Sequence, residues 1–361
     1  MGIAGLGFGE KVHLPALRAC TGMEPVALWH PRQHRLDQAC RSAELWGTTD
    51  FEQLLAQADL DAVVIATPPA VRFELAKQAL LAGKHVLLEK PVALNRYEAQ
   101  ELVQLARTQR CCCAVNFEYR AVPAFQQLAD LLQQDWLGEI WLVRFDWLMQ
   151  NRSDPRRPWN WYANQAEGGG VLGAYGSHAL DMMEWLVGPV LEVQAQLSVA
   201  IQERPLVDGS GFGPVDAADT ALIQLKLQSQ WANTTHVVPA QMALSAVAKQ
   251  GRGCWLEIYG SAGTLILGSA NQADYVHGFG LQGCRTDESM VAIAPDPAFA
   301  FGRSWADGRT APVSRLMNWW AAAIREEKPM VPGLLEGLQS QIAIDACLDS
   351  HLSGNSVLLE Y

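Results

Sequence analysis

Along the first third of the chain, short apolar runs alternate with stretches whose apolar residues recur every three to four positions. This pattern predicts strands over Ile3–Leu6, Val26–Trp29, Ala62–Ala66, Val86–Leu88 and Cys112–Asn116. It predicts helices over Lys11–Cys20, Arg35–Leu45, Phe73–Leu81 (ended by Gly83) and Tyr97–Arg107. Strand and helix in strict alternation build a doubly wound parallel sheet, a Rossmann-type α/β fold. Its ligand crevice lies at the carboxyl ends of the strands.

After Pro123 the rhythm changes. A helix over Ala124–Gln134 leads to the apolar, aromatic run Ile140–Met149 and then to the polar stretch Asn151–Asn164. Longer strands follow over Leu191–Ile201, Thr220–Gln230, Cys254–Tyr259 and Gly263–Leu267, with closing helices over Ala321–Arg325 and Leu334–Leu348. Strands gathered together with helices segregated predict an α+β domain on a mostly antiparallel sheet. The expected division is a dinucleotide-binding domain over 1–120 and a substrate-binding and oligomerisation domain over 121–361. Asn271–Arg309, rich in Gly, Asp and Pro with little periodicity, reads as an irregular surface excursion; a lid is the alternative.

A length of 361 residues supports this division, because single cores stop growing near that size. Apolar residues make up 49% and charged residues 18%, an ordinary globular balance. The net charge of −11 argues against nucleic acid or an anionic membrane surface as partner. No apolar run approaches the ~20 residues that span a bilayer, and the N-terminus does not read as a signal peptide. The eight cysteines lack metal-type spacing, and the run Cys111–Cys113 reads as the start of a buried strand. A reducing cytoplasm and a small-molecule partner are the expectation, with no metal.

The candidate chemistry begins at Gly5-Leu6-Gly7-Phe8-Gly9-Glu10, after the first strand and before the first helix. Gly5 suits the tight turn, and Gly7 lets backbone amides approach a pyrophosphate at the helix N-terminus. The usual third glycine falls on Glu10. NAD-binding enzymes usually carry an acid after the second strand for the ribose 2′-hydroxyl, but here the chain runs His30-Pro31-Arg32 with no acid until Asp37. Arg32 with His30 suits a 2′-phosphate, which favours NADP(H) over NAD(H). A solvated basic helix start is the competing reading.

Glu89-Lys90-Pro91 follows the fifth expected strand, where an ammonium can hold a substrate oxygen. Asn116, Tyr119 and Arg120, after the last strand of the alternating series, point to the same crevice. His178 and Asp181, three apart, share one face of a helix. Trp159 and Trp161, with Arg152 nearby, offer ring faces and donors suited to a polyhydroxyl ligand; packing of the loop onto the second domain explains them equally well.

Taken in order, the Gly5–Gly9 turn, Ala66-Thr67-Pro68-Pro69, Glu89-Lys90-Pro91 and Gly168-Gly169-Gly170 with Gly176-Ser177-His178 and Asp181 make the sequence resemble the glucose–fructose oxidoreductase/inositol dehydrogenase (Gfo/Idh/MocA) family. The resemblance extends over nearly the whole chain. It implies a Rossmann domain followed by an α/β domain with an open sheet. It also implies hydride transfer between a nicotinamide and a hydroxyl or carbonyl carbon of a sugar, polyol or related compound, in homodimers or homotetramers packed through that sheet. On this resemblance Lys90 and His178 are catalytic. The cofactor is held by Gly5, Gly7, Phe8, Gly9, His30, Arg32, Thr67, Pro68, Glu89, Lys90, Pro91 and Asn116, with a cis bond before Pro91. Substrate is expected against Tyr119, Arg120, Trp159, Trp161, Tyr175 and Asp181. Two departures stand out: Ala174 occupies the place of the Asp that usually precedes the histidine by four residues, and Arg72 that of a common His. An NAD-dependent glycosidase without net redox change and a non-catalytic dinucleotide-binding regulator are the alternatives.

Overall fold

A computed structural model describes residues 1–229, 231, 236–271 and 278–360. The expected strand end at Gln230 and the part of Asn271–Arg309 over 272–277 lie outside the described residues. The elements run β1 (Gly2–Ala4), α1 (Leu14–Arg18), β2 (Ala27–Trp29), α2 (Gln33–Ala43), β3 (Trp46–Thr48), α3 (Phe51–Leu55), β4 (Ala62–Ile65), α4 (Pro69–Leu81), β5 (His85–Leu88), α5 (Arg96–Gln109), β6 (Cys113–Val115), α6 (Pro123–Gln133) and β7 (Ile140–Leu148). They continue with α7 (Ser177–Leu186), β8 (Val190–Ser198), β9 (Glu203–Pro205), β10 (Phe212–Pro214), β11 (Thr220–Ser229), β12 (His236–Ser245), β13 (Gly253–Gly260), β14 (Gly263–Ser269), β15 (Gly280–Arg285), β16 (Val291–Ile293), α8 (Thr310–Arg325), α9 (Leu334–Ser353) and β17 (Val357–Leu358).

Two compact units result. The first comprises Met1–Ala121 and Arg303–Gln341, the second Val122–Gly302 and Ile342–Tyr361. The expectation of a boundary near 120 therefore meets a chain that comes back, since Arg303–Gln341, assigned from sequence to the second domain, belongs to the first unit.

The first unit holds a six-stranded sheet in the order β3-β2-β1-β4-β5-β6, parallel throughout. The strand order reverses between β1 and β4, where doubly wound sheets bind ligands. Both faces are apolar because successive residues point to opposite sides. Val63 and Ile65 of β4 pack with α3, α4 and α5 through Leu54, Ala76 and Leu102, whereas Ala62 and Val64 face α1 through Leu17 and α8 through Met317 and Trp320. Trp320 is fully buried, and its indole N–H donates to Cys112 O at 3.2 Å. A buried aromatic of this size is worth about 3–5 kcal/mol against truncation to alanine.

The second unit is built on a nine-stranded sheet, β16-β15-β14-β13-β7-β12-β11-β8-β17, antiparallel except where β12 runs parallel to β7, with β9 and β10 as a separate ribbon. Ala221, Ile223, Leu225 and Leu227 of β11 are buried, while the intervening Leu222 is exposed, so one face is packed and the other open.

Two expectations are corrected, and elements appear in two stretches where none was expected. β3 and α3 lie between the expected helix over Arg35–Leu45 and the expected strand over Ala62–Ala66, where no element was expected, since Trp-Gly-Thr contains no apolar run; Gly47 is required there because a Cβ would stand 2.4 Å from Cys40 Sγ. β12 was hidden by Pro239, which falls one residue before pairing with β7 begins at Ala240. The expected irregular excursion in part forms β15 and β16, whose Gly280 and Gly283 obscure the alternation. The helix expected over Ala321–Arg325 begins eleven residues earlier, at Thr310, with Pro312 in its first turn.

Candidate active site

The first unit collects its polar groups at the carboxyl ends of β1, β4, β5 and β6. β1 delivers the glycine turn. Gly5 has φ +99°, and a Cβ there would lie 2.7 Å from Ala66 O, so only glycine fits. Gly7 is exposed with open space around it, which leaves its backbone accessible to a ligand. A Cβ on Gly9 would stand 2.9 Å from Ile3 Cγ2. Gly9 therefore supplies the close helix–strand approach expected of a glycine at position 10. The chain enters α1 through a single π-type turn, Gly9–His13, and Glu10 is half-buried in it. The Phe8 ring meets His13 edge-on at 5.2 Å and carries the Arg309 guanidinium at 4.9 Å.

After β2, the Arg32 N–H donates to His30 Nδ1 at 3.0 Å, and Arg32 is exposed at the start of α2, whose first turn contains no acid. Partial burial, with the charges of Arg32 and Arg35, holds the His30 pKa below its usual value.

Glu89 follows β5 and is buried. Its Oε1 accepts from Asn116 Nδ2 at 2.8 Å and lies 2.7 Å from His13 Nε2. Burial alone would raise the Glu89 pKa, but the His13 hydrogen bond and the charges of His13, Lys90 and Arg72 outweigh it and hold the group low. The Lys90–Pro91 bond is cis. Arg72, buried on α4, donates to Thr67 O and Pro91 O, tying the end of β4 to the Lys90–Pro91 turn; burial lowers its pKa to about 10. Lys90 is half-buried beside the carboxylates Glu118 and Glu89 and the guanidiniums Arg72 and Arg309. Burial lowers its pKa most, and the two carboxylates oppose that shift. Glu118 is buried in the short turn Glu118–Ala121, and burial together with Glu89 raises its pKa to about 7. Tyr119 and Arg120 are buried in the same turn.

Thr67 Oγ1 and Asn116 Oδ1 are buried without a hydrogen-bond partner among the described residues. Both stand at strand ends on either side of β5. With the open backbone at Gly7, these orphaned polar atoms fit a dinucleotide that brings its own donors and acceptors. Pro68, exposed, begins the step from β4 into α4.

In the second unit, His178 and Asp181 are buried on α7, entered through the π-type turn Leu172–Gly176. Tyr175 stacks on Trp147 at 4.7 Å and 11°, and the Trp147 ring lies 6.2 Å from that of His178. The Tyr175 hydroxyl donates to Asn151 Oδ1 at 2.8 Å, and burial raises its pKa to about 12. The position with no carboxylate, Ala174, is half-buried in the same turn. Gly169 fits where a Cβ would meet three carbonyl oxygens at 2.5–2.7 Å, those of Trp161, Tyr162 and Asn164. The triple glycine therefore folds the 151–164 loop back on itself. Trp159 packs on the β9–β10 ribbon, its indole N–H donating to Pro214 O at 2.8 Å. Trp161 is half-buried against Tyr162, ring centroids 6.0 Å apart. All eight cysteines are free, and no metal-ligand cluster occurs among the described residues.

Sequence reasoning passed over His13, Glu118 and Arg309. The signal available was position: His13 one turn past the glycines, and Glu118 between Asn116 and Arg120.

Comparison with known proteins agrees over both units. Residues 1–117 match the family model described as the oxidoreductase family with an NAD-binding Rossmann fold, and residues 129–359 match that family's C-terminal alpha/beta domain. An uncharacterized oxidoreductase of Synechocystis sp. is 42% identical over 97% of this chain and 93% of its own length. Levoglucosan dehydrogenase of Pseudarthrobacter phenanthrenivorans is 28% identical over 82% of this chain and 77% of its own. A solved levoglucosan dehydrogenase in complex with NADH and L-sorbose, 25% identical, superposes with a TM-score of 0.86 over 99% of this chain and 98% of that one.

Proposed function

The chain belongs to the Gfo/Idh/MocA oxidoreductase family, and on that premise we propose that it moves a hydride between a nicotinamide dinucleotide and a hydroxyl or carbonyl carbon of a sugar or polyol. The observation that carries the reading is Lys90. It follows β5 beside two buried carboxylates and between strand ends bearing orphaned polar atoms. Levoglucosan dehydrogenase, whose solved complexes hold NADH with L-sorbose and NADH with levoglucosan, supports the sugar assignment.

In this reading Gly5, Gly7, Phe8 and Gly9 hold the pyrophosphate. Thr67, Pro68, Glu89, Pro91 and Asn116 hold the nicotinamide end. The bound nicotinamide supplies the hydride acceptor or donor. Lys90 donates a hydrogen bond to the substrate oxygen and stabilises charge that develops there. His178 takes the hydroxyl proton during oxidation and returns it during reduction. Tyr175, stacked on Trp147, and Asp181, one turn beyond His178, orient that histidine in place of the carboxylate absent at position 174.

Arg32 and His30 favour NADP(H) over NAD(H), because the start of α2 offers a guanidinium and no acid for the ribose 2′ position. The open sheet face, with Leu142, Leu222 and Val237 exposed, supports assembly of copies through that sheet; light scattering measures the expected dimer or tetramer. A cytoplasmic location is part of the same reading.

The test is calorimetric titration of nucleotide-free protein with NADP⁺ and NAD⁺, beside the Arg32→Ala variant. The expected result is binding of both, with NADP⁺ tighter and selectively weakened by Arg32→Ala. Binding of NAD⁺ alone refutes the Arg32 argument. Folded protein that binds neither nucleotide refutes the oxidoreductase reading. Binding without turnover over a broad sugar and polyol panel favours a regulator instead.

A further inference from the structure

We propose that the second unit carries an anion-binding site centred on Arg152, and that the substrate bears a carboxylate or phosphate group which this site holds. The assignment to substrate rests on the oxidoreductase reading above; the site itself rests on geometry within the second unit.

Three guanidiniums converge where the 151–164 loop folds back. Arg152 is half-buried, with its guanidinium 3.9 Å from the centroid of the Tyr162 ring. Arg157 donates to Asn151 O at 3.0 Å, and Arg204 donates to Asp154 O at 2.9 Å and Arg152 O at 2.7 Å. These acceptors are neutral carbonyls. None of the three guanidiniums pairs with a carboxylate within ion-pair distance among the described residues. Asp154 is engaged by Arg156, through Nε at 3.1 Å and Nη2 at 3.2 Å. The buried Asp219 faces Tyr162 and Arg204 electrostatically, but its Oδ2 already accepts from the backbone N–H groups of Ala200 and Ile201.

Positive charge is thus concentrated in a protein whose net charge is −11. Partly buried cations disfavour one another, and burial and then Arg157 and Arg204 hold the pKa of Arg152 below its usual value. The Tyr162 face compensates Arg152 only in part. An incoming anion would neutralise the cluster, and a guanidinium fork matches two oxygens of a carboxylate or phosphate. A second donor is available: the Tyr162 hydroxyl is buried without a hydrogen-bond partner among the described residues.

The cluster also lies near the proposed proton acceptor. Arg152 and Arg157 act electrostatically on Tyr175, which stacks on Trp147 one turn before His178. A hydroxyl presented to His178 would therefore belong to a molecule whose acidic group reaches Arg152. Sugar acids and sugar phosphates have this form; neutral sugars do not.

The experiment compares D-gluconate, D-glucose 6-phosphate, inorganic phosphate and D-glucose by calorimetry on the NADH-saturated protein, and again without nucleotide. At least one of gluconate and glucose 6-phosphate should bind ten times more tightly than glucose, and the better of the two identifies carboxylate or phosphate as the source. Arg152→Gln should abolish that preference while leaving NADH affinity and thermal stability near those of the parent, and Arg152→Lys should restore part of it. Glucose binding as tightly as both anionic counterparts overturns the proposal. So does a preference that survives Arg152→Gln. Failure of NADH to bind the parent protein refutes the oxidoreductase reading separately, and the nucleotide-free titrations then still decide the anion site.

Discussion

Glu118 titrates near neutrality inside the first unit, and its removal should reshape the pH dependence of stability. The carboxyl is buried, and its pKa is raised from an ordinary 4.5 to about 7. Between those values the folded protein keeps a proton that the unfolded chain releases. The stabilisation is therefore complete below pH 4.5 and is lost as pH rises through about 7. A rise of this size corresponds to about 3 kcal/mol, at roughly 1.4 kcal/mol per unit. Glu118→Gln keeps the shape of the side chain and cannot ionise, so this loss disappears. His30 and His85, both depressed by burial, act in the opposite sense, but they are common to parent and variant and cancel in the difference. Urea denaturation followed by tryptophan fluorescence, with the buried Trp320 reporting on this unit, gives the stability of each protein from pH 4.5 to 8. The stability of the variant relative to the parent should climb by about 3 kcal/mol across that window. Two curves that stay parallel refute the reasoning and place the Glu118 pKa at its ordinary value.

Three further outcomes follow from the same unit. Gly9→Ala pushes a Cβ to 2.9 Å from Ile3 Cγ2 and should cost about 1–3 kcal/mol in urea denaturation, with weaker NADH binding. Arg72→Met strips the carbonyls of Thr67 and Pro91 of their donor and removes a cation beside Glu89; a loss of about 3–5 kcal/mol is expected from melting in denaturant, and Arg72→Lys should recover little of it. His13→Ala removes the hydrogen bond that helps hold Glu89 low. The stability from Glu89 is present above pH 4.5 and lost as pH falls through its folded value, so the acid-unfolding midpoint of the variant should move upward.

The parallel series was readable because each strand is an apolar run and each helix carries its own period; Val63–Ile65 and Ala76–Leu80 announce themselves. β3 was not, since three residues with Gly47 in the middle carry no period at all. In the second unit β11 showed its alternation, whereas Pro239 masked the same alternation in β12. The glycine turn and the Glu89–Pro91 segment were legible as contiguous motifs. The charged cluster around Lys90 was not, because His13, Arg72, Glu118 and Arg309 come from four separate segments and meet only after folding. Arg152 was visible as a donor in a polar loop. That no carboxylate among the described residues pairs with it became visible only when the positions of Asp154 and Asp219 were known.

The return of Arg303–Gln341 to the first unit bears on how the protein is made. Val313, Leu316, Met317 and Trp320 pack on Ile3, Val12, Leu17 and Leu28, about three hundred positions earlier in the chain. During synthesis, the N-terminal segment must wait with one side of its sheet only partly covered, by α1 and α2, until α8 leaves the ribosome, at a time when every strand of the nine-stranded sheet except β17 has already been translated. Exposed apolar strand faces of this kind invite association between nascent chains. A fragment ending at Ala121 would leave the part of that face under α8 exposed permanently, whereas joining residue 121 to residue 303 through a short linker would restore its cover and should give a separately folding nucleotide-binding module.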